Sequence, residues 1–330
     1  MKAKQRASLG VVSLTALVVF GCSQPSEGIK RESPTSAAPT SSEPSTIPVS
    51  TELTCPKNTS GASMVLIPTG DGTDYCIDQW PATYGEYKEF LRAKGRRFGD
   101  QPSGCEWNKD YGPHSTYETY GCDDCPTSTC GPAIDEVDPG RAVQCIDWCD
   151  AWAFCAWSGK RLCGLRGAQR GKVSSIELPP DNYDNAEARN RVIDKSTCTP
   201  DSEWFNVCSQ GGTSKYPYGN AYEAGTCADE EKLAFDSTVA PPVSDTARNQ
   251  CHGTQSPYDQ VYGVSGSVPQ WLNICFDFPG FCAIQGNPER SYQSSSCEGS
   301  HGLMFVIPTA NSYAGVRCCA DAVPGVAFEP

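Results

Sequence analysis

Residues Cys145 to Cys163 read CIDWCDAWAFCAWSGKRLC, and the fold follows from this stretch. Asp147 is placed to cap a helix, because its carboxylate can accept from backbone N–H groups two or three residues on. Trp148 to Ser158 contains neither proline nor glycine, and Gly159 stands where a left-handed helix stop is expected. Trp148, Trp152 and Cys155 fall at i, i+4 and i+7, giving one face two indoles and a sulfur. Gly159-Lys160-Arg161-Leu162 follows directly.

Upstream, Met64-Val65-Leu66-Ile67-Pro68 reads as a short apolar strand ended by its proline. Tyr75-Cys76-Ile77-Asp78 is its expected partner, and a Cys55–Cys76 bridge would close the pair. Thr83-Tyr84-Gly85-Glu86 has the form of a capping box. Tyr84, Tyr87, Phe90 and Leu91 then mark a buried helix face, and Gly95 marks the stop. Residues Phe98 to Val143, rich in Gly, Pro, Cys and Tyr, read as loops pinned by bridges.

The start of the chain reads as export machinery. Lys2, Lys4 and Arg6 precede the mostly apolar run Leu9 to Phe20, which is short for a membrane span. Val19-Phe20-Gly21-Cys22 has the form of a bacterial lipobox, with residues 1–21 as signal and Cys22 as the lipidated residue. Residues 22–54 are rich in Ser, Thr, Pro and Glu and bury too little apolar surface to offset chain entropy, so a disordered tether is expected. The folded domain is then 55–330.

The formal charge is −13, and removing a signal with three basic and no acidic residues leaves −16. Such acidity argues against nucleic acid or an anionic membrane surface as partner. Twenty cysteines in an exported chain indicate disulfides. Without Cys22 their number is odd, so one is expected unpaired or bonded to another molecule. Cys122-x-x-Cys125 with Cys130 raises zinc, but His114 is the only nearby histidine and no fourth ligand completes the set. Disulfides are the expectation there.

A helix with one buried cysteine followed at once by GKRL resembles the formylglycine-generating, or sulfatase-modifying factor, family. The family pattern W-x-D-A-x-x-Y-C-x-W-x-G-K-R-L meets Trp148, Asp150, Ala151, Phe154, Cys155, Trp157 and Gly159 to Leu162 here. Met64 to Pro68 and Thr83 to Phe90 match its M-x-x-I-P-x-G and T-x-x-x-Y-x-x-F blocks. Lys215-Tyr216-Pro217-Tyr218-Gly219-Asn220 resembles Y-P-W-G-N, and Gly315-Val316-Arg317-Cys318 resembles G-F-R-C. Val261 to Trp271 stands where the family has D-M-x-G-N-V-W-E-W. The short P-T-E-x-E-W-E helix is delayed by a polar insertion, Cys163 to Cys198, expected to be superficial. It reappears at Thr199 to Phe205, with Thr199 as N-cap and Pro200 as N1.

The resemblance spans about residues 62 to 321 and implies an α+β fold, the family's loop-rich, disulfide-rich variant of the C-type-lectin-like fold. It implies the bridges Cys155–Cys318 and Cys208–Cys297. Cys319 then needs another partner, with Cys145 and Cys149 both open.

In catalytic members, two cysteines after an R-G-G-S turn bind copper(I) and activate oxygen. Copper(I) favours soft thiolates. Counting forward from Cys282 puts Ser291 and Ser296 at those positions, and counting back from Cys297 puts Asn287 and Tyr292 there. Neither register supplies a sulfur, so copper is not expected. Cys275 and Cys282 flank a short aromatic loop and are expected to form a local disulfide. Calcium ligands implied by G-N-V-W-E-W fall on Ser267 and Gln270, losing the carboxylate, while Asp229 and Glu230 remain weak calcium candidates. Gly263-Val264-Ser265-Gly266-Ser267 misses the G-x-S-x-G elbow at its last position, and Cys297 with His301 suggests a thiol dyad only if Cys297 is unbridged.

These readings converge on a lipid-anchored envelope protein, sorted to the outer membrane if the cell has one. Its domain is expected to be non-catalytic and to bind a peptide, protein or glycan in an aromatic-edged cleft of Trp148, Trp152, Tyr216, Tyr218 and Trp271. A sulfatase-modifying oxidase and a structural subunit of an envelope assembly are the alternatives. The anchoring expectation is checked by fractionation: wild-type protein should partition with membranes, and Cys22→Ala should be released to the soluble fraction.

Overall fold

The computed structural model describes residues 52–95, 101–113, 134–168, 172–177, 192, 194–227, 243, 250–266, 268–276, 281–286, 296–298, 301–305 and 314–325. Cys22, residues 23–51 of the tether, Cys122, Cys125, Cys130, Asp229, Glu230, Ser267, Asn287, Ser291 and Tyr292 lie outside them, whereas Leu53–Thr54, expected as the end of the tether, form a strand paired with Val323–Pro324.

Strand β1 is Leu53–Thr54, β2 is Met64–Ile67 and β3 is Tyr75–Asp78. Val65 and Ile67 of β2 face the core while Met64 and Leu66 are half-exposed, the period of two expected of a sheet edge. β3 is buried along its length because both its faces are covered: Tyr75 and Ile77 enter an apolar cluster, while on the other face Cys76 is bridged and Asp78 accepts from Lys160 and Cys318 N–H. Cys55 is bonded to Cys76. Helix α1, Tyr84–Lys94, begins at the reciprocal Thr83–Glu86 box and buries Tyr84, Tyr87 and Phe90. It ends at Gly95, whose φ of +56° suits glycine.

Helix α2 is Trp148–Trp157, capped by Asp147 and Asp150 bonding each other's backbone N–H. Every residue from Trp148 to Cys155 is buried. This corrects the expectation of one aromatic face bordering a cleft. Apart from Asp150, which is occupied by the cap, α2 is apolar on every side, and such a helix has no face to leave in water. Trp148 and Trp271 are fully buried, and their indole N–H groups donate to Leu272 O at 2.9 Å and Ile146 O at 2.8 Å. They are core residues, and Trp152 is buried with them.

After Gly159, strand β4 is Arg161–Leu162, β5 is Ser174–Ile176, and helix α3 is Glu203–Cys208. Strands β6 (Gln270–Phe276), β7 (Phe281–Gln285), β8 (His301–Phe305), β9 (Cys318–Asp321) and β10 (Val323–Pro324) complete the described elements. One sheet has the order β2-β3-β9-β4, a second β5-β6-β7-β8, and β1 pairs with β10. All pairings are antiparallel except β5 with β6. β5 falls inside the insertion expected to be superficial, yet it extends the second sheet with Ser174 opposite Ile274.

Helix α3 begins three residues later than expected. Its N-cap is Ser202, whose hydroxyl accepts from Phe205 N–H, and Ser202 N–H closes a preceding turn onto Thr199 O. Thr199-Pro200 therefore form the approach turn, and Ser202 supplies the equally good cap.

Strand β9 separates two apolar clusters. Cys318 packs with α1 and α2, whereas Cys319 packs with Val65, Ile67, Trp204 and Phe205. Cys155 is bonded to Cys318, and Cys208 to Cys297. Cys319 is bonded to Cys163, while Cys149 is bonded to Cys105. The expected Cys145 or Cys149 partner is thereby corrected. Successive strand residues point to opposite faces, so if Cys318 reaches α2, Cys319 must point away from it. Cys227–Cys251 and Cys275–Cys282 are also bonded, and no described cysteine is free.

The Cys155–Cys318 bridge spans 163 residues of sequence. Replacing both with alanine is expected to cost roughly 3–5 kcal/mol, read as a lowered denaturant midpoint under non-reducing conditions.

Candidate functional site

The position implied for copper begins at the end of β7. Cys275 and Cys282 stand directly opposite each other on β6 and β7, Cα atoms 4.0 Å apart, and are bonded together. Ser296 is buried next to Cys297, which is bonded to Cys208. The described residues of this region thus offer hydroxyl and disulfide sulfur, neither of which suits copper(I). Bonding to Cys208 also removes Cys297 from any dyad with His301. Ser265, which stands at the serine position of the elbow-like G-V-S-G-S segment, is fully buried.

A separate set of buried charges follows from GKRL. Lys160 Nζ donates to Asp78 Oδ1 at 2.6 Å and to Ala62 O at 2.8 Å. Burial pushes the Asp78 carboxyl up to about 6, with Lys160 pulling the other way. Arg161 is bidentate on Glu203, at 2.7 and 2.6 Å, and reaches Asp321 at 2.9 Å. Burial works against the Arg161 charge, but Glu203 and Asp321 outweigh it and raise the pKa. Glu203 also accepts from Gly164 N–H at 2.9 Å. Adjacent residues of one strand entry therefore tie β3, α3 and β9 together. Cys163, Glu203 and Cys319 lie close enough to suggest a metal site, but the sulfurs are bonded to each other and the carboxylate is saturated by Arg161.

Among the described residues, the turn Lys215 to Glu223 gathers three tyrosine rings at the surface. Tyr216 and Tyr218 stack with centroids 5.5 Å apart at 11°, and Tyr222 adds a tilted ring 5.9 Å from Tyr216. Tyr216 is buried, Tyr218 half-buried, and Tyr222 is 40% exposed. The Lys215 ammonium lies 5.7 Å from the Tyr216 ring centre. Of the residues expected to edge a cleft, only Tyr216 and Tyr218 come together at a surface.

Gln210, which sequence reasoning missed, holds this turn. Its Nε2 donates to Pro217 O at 2.9 Å and Ser214 Oγ at 3.0 Å. Its Oε1 accepts from Thr254 N–H at 3.0 Å and Gln255 N–H at 3.2 Å. No sequence signal marks it, since a glutamine with φ of +51° has no propensity for that conformation. The Arg161–Glu203 pair was also missed, although GKRL and the Glu203-Trp204 match held both partners.

A family model for the sulfatase-modifying factor enzyme 1-like domain matches residues 57–322. No curated protein matches the chain. Among solved structures, PvdO from Pseudomonas aeruginosa is 15% identical over 79% of this chain and 91% of its own, with a TM-score of 0.39. CarF is 16% identical over 80% and 96%, with a TM-score of 0.40. Variable protein 1 of Treponema denticola is 12% identical over 80% and 93%, with a TM-score of 0.37.

The buried charges and the aromatic turn should respond differently to mutation. Lys160→Met strands the Asp78 carboxyl and is expected to cost roughly 3–5 kcal/mol in urea unfolding. Tyr222→Ala, at an exposed position, should change stability by less than about 0.5 kcal/mol.

Proposed function

Because the chain belongs to the sulfatase-modifying factor enzyme 1-like family, we propose that it uses the family's domain as a ligand-binding module without the family's oxidase chemistry. The observation that carries this reading is the state of the sulfurs near the implied copper position. Cys275 and Cys282 are bonded to each other, and both sequence registers for the copper ligands land on Ser, Asn or Tyr. A copper(I) centre that activates oxygen needs two thiolates in one place.

The binding surface in this proposal is the tyrosine turn. Aromatic faces with hydroxyl rims suit ligands that are apolar on one side and polar on the other, such as a sugar ring or an extended peptide. Gln210 fixes the turn from below, so little ordering cost would fall on the protein when a ligand docks. The lipid on Cys22 and the acidic tether would hold the module at the cell envelope, facing away from the cytoplasm. A purely structural role in an envelope assembly makes no use of the exposed Tyr222 ring.

Two measurements test the proposal. Purified protein given copper, reductant and a Cys-x-Pro-x-Arg peptide should neither take up stoichiometric copper nor convert the peptide thiol to an aldehyde. Aldehyde formation would establish the oxidase alternative instead. On glycan and peptide arrays, wild type should retain a ligand class that Tyr218→Ala/Tyr222→Ala binds about tenfold more weakly. Equal binding by both proteins would remove the turn from recognition.

A further inference from the structure

The family resemblance implies calcium at the segment leading into β6, with a glutamate where this chain has Gln270. The residues present do not fit that ion. Gln270 is fully buried, and its Oε1 accepts from Arg317 Nε at 2.9 Å. Arginine only donates, so this contact fixes which end of the amide is oxygen. Nε2 must then face the other way, where it lies 3.1 Å from Gly263 O and 3.4 Å from both Val264 O and Val268 O. Three backbone carbonyls, the ligand type a calcium ion would use, converge on an amide N–H₂ group.

Arg317 extends the same arrangement. It is fully buried, with Nη1 donating to Asp78 O at 2.6 Å and Nη2 to Tyr262 O at 2.5 Å and Gly263 O at 3.1 Å. Burial lowers its pKa to about 9, opposed by Asp78, so the guanidinium carries its charge at neutral pH. On the remaining side is Gly286. A Cβ there would sit 3.1 Å from Val264 O and 3.2 Å from Val268 O, so the bare glycine backbone closes over the carbonyls.

We propose that the Gln270 amide and the Arg317 guanidinium together take the place of the calcium ion, serving as a built-in cationic plug for the carbonyls of Tyr262, Gly263, Val264 and Val268. A glutamate at 270 would still accept from Arg317, but its second oxygen would face the carbonyls of Gly263, Val264 and Val268. That oxygen-only cluster is repulsive unless a cation occupies it. The amide supplies the missing donors, so the segment holds its shape without metal. One atom, nitrogen in place of oxygen, separates a metal-requiring loop from a metal-independent one.

Thermal melts in EDTA and in millimolar calcium test the plug. Wild-type protein should melt at the same temperature in both, within about 1 °C. Gln270→Glu in EDTA should melt ~5 °C or more below wild type, and calcium should restore much of that loss. A wild-type midpoint that rises by several degrees with calcium, and still does so in Asp229→Asn/Glu230→Gln, would overturn the proposal. So would Gln270→Glu that matches wild type and ignores calcium. Should Gln270→Glu fold under neither condition, calorimetric titration of Asp229→Asn/Glu230→Gln decides: stoichiometric calcium binding overturns the plug, and none supports it.

Discussion

The structure depends on the alternation of two neighbouring residues in one strand. Cys318 and Cys319 are consecutive on β9, and a β-strand sends consecutive side chains to opposite faces. One sulfur therefore enters the cluster around α1 and α2, and the other enters the cluster around Trp204 and Phe205. Their bonds to Cys155 and Cys163 fix the two ends of the segment that carries GKRL. The strand is thus clamped on both faces, and β3, β4 and α2 are positioned relative to it. A loop-rich chain with short strands has limited cooperative backbone bonding, so long-range covalent links matter more here than in a helical bundle.

The buried charges work within that clamp. Lys160 and Arg161 follow α2 directly and pair with Asp78 and Glu203. Such pairs add little net stability over apolar packing, but losing one partner leaves an uncompensated buried charge. Each cation has its partner at one place in the fold, Lys160 on Asp78 and Arg161 on Glu203, so an arrangement that separated either pair would leave a buried charge unpaired. The same logic applies to Arg317, which addresses backbone carbonyls and Gln270 in place of a single carboxylate.

Much of this was legible in the sequence where the signal was local or carried by the family pattern. The Thr83 and Asp147 caps, the Met64–Asp78 hairpin and the helix stop at Gly159 rest on short-range rules that tertiary packing did not override. The partner of Cys319 was not legible, because it depends on which face of β9 each cysteine occupies. The cleft tryptophans were misplaced for a related reason. Two indoles four residues apart establish a face, but whether that face meets solvent depends on what packs against it, and Trp148 lies against β6. Gln210 acts through a left-handed backbone that no local pattern predicts. The strand Ser174–Ile176 reads as polar because it is a sheet edge only partly covered.

Among the described residues every cysteine serves the framework, and the Cys275–Cys282 pair is the place to check this. Alkylation of the unreduced protein in denaturant, followed by mass spectrometry, reads the state of each sulfur. Cys275 and Cys282 should remain unlabelled and be recovered as one cross-linked peptide pair. Recovery of both as labelled thiols would overturn the framework role, because two soft ligands would then stand opposite each other on β6 and β7.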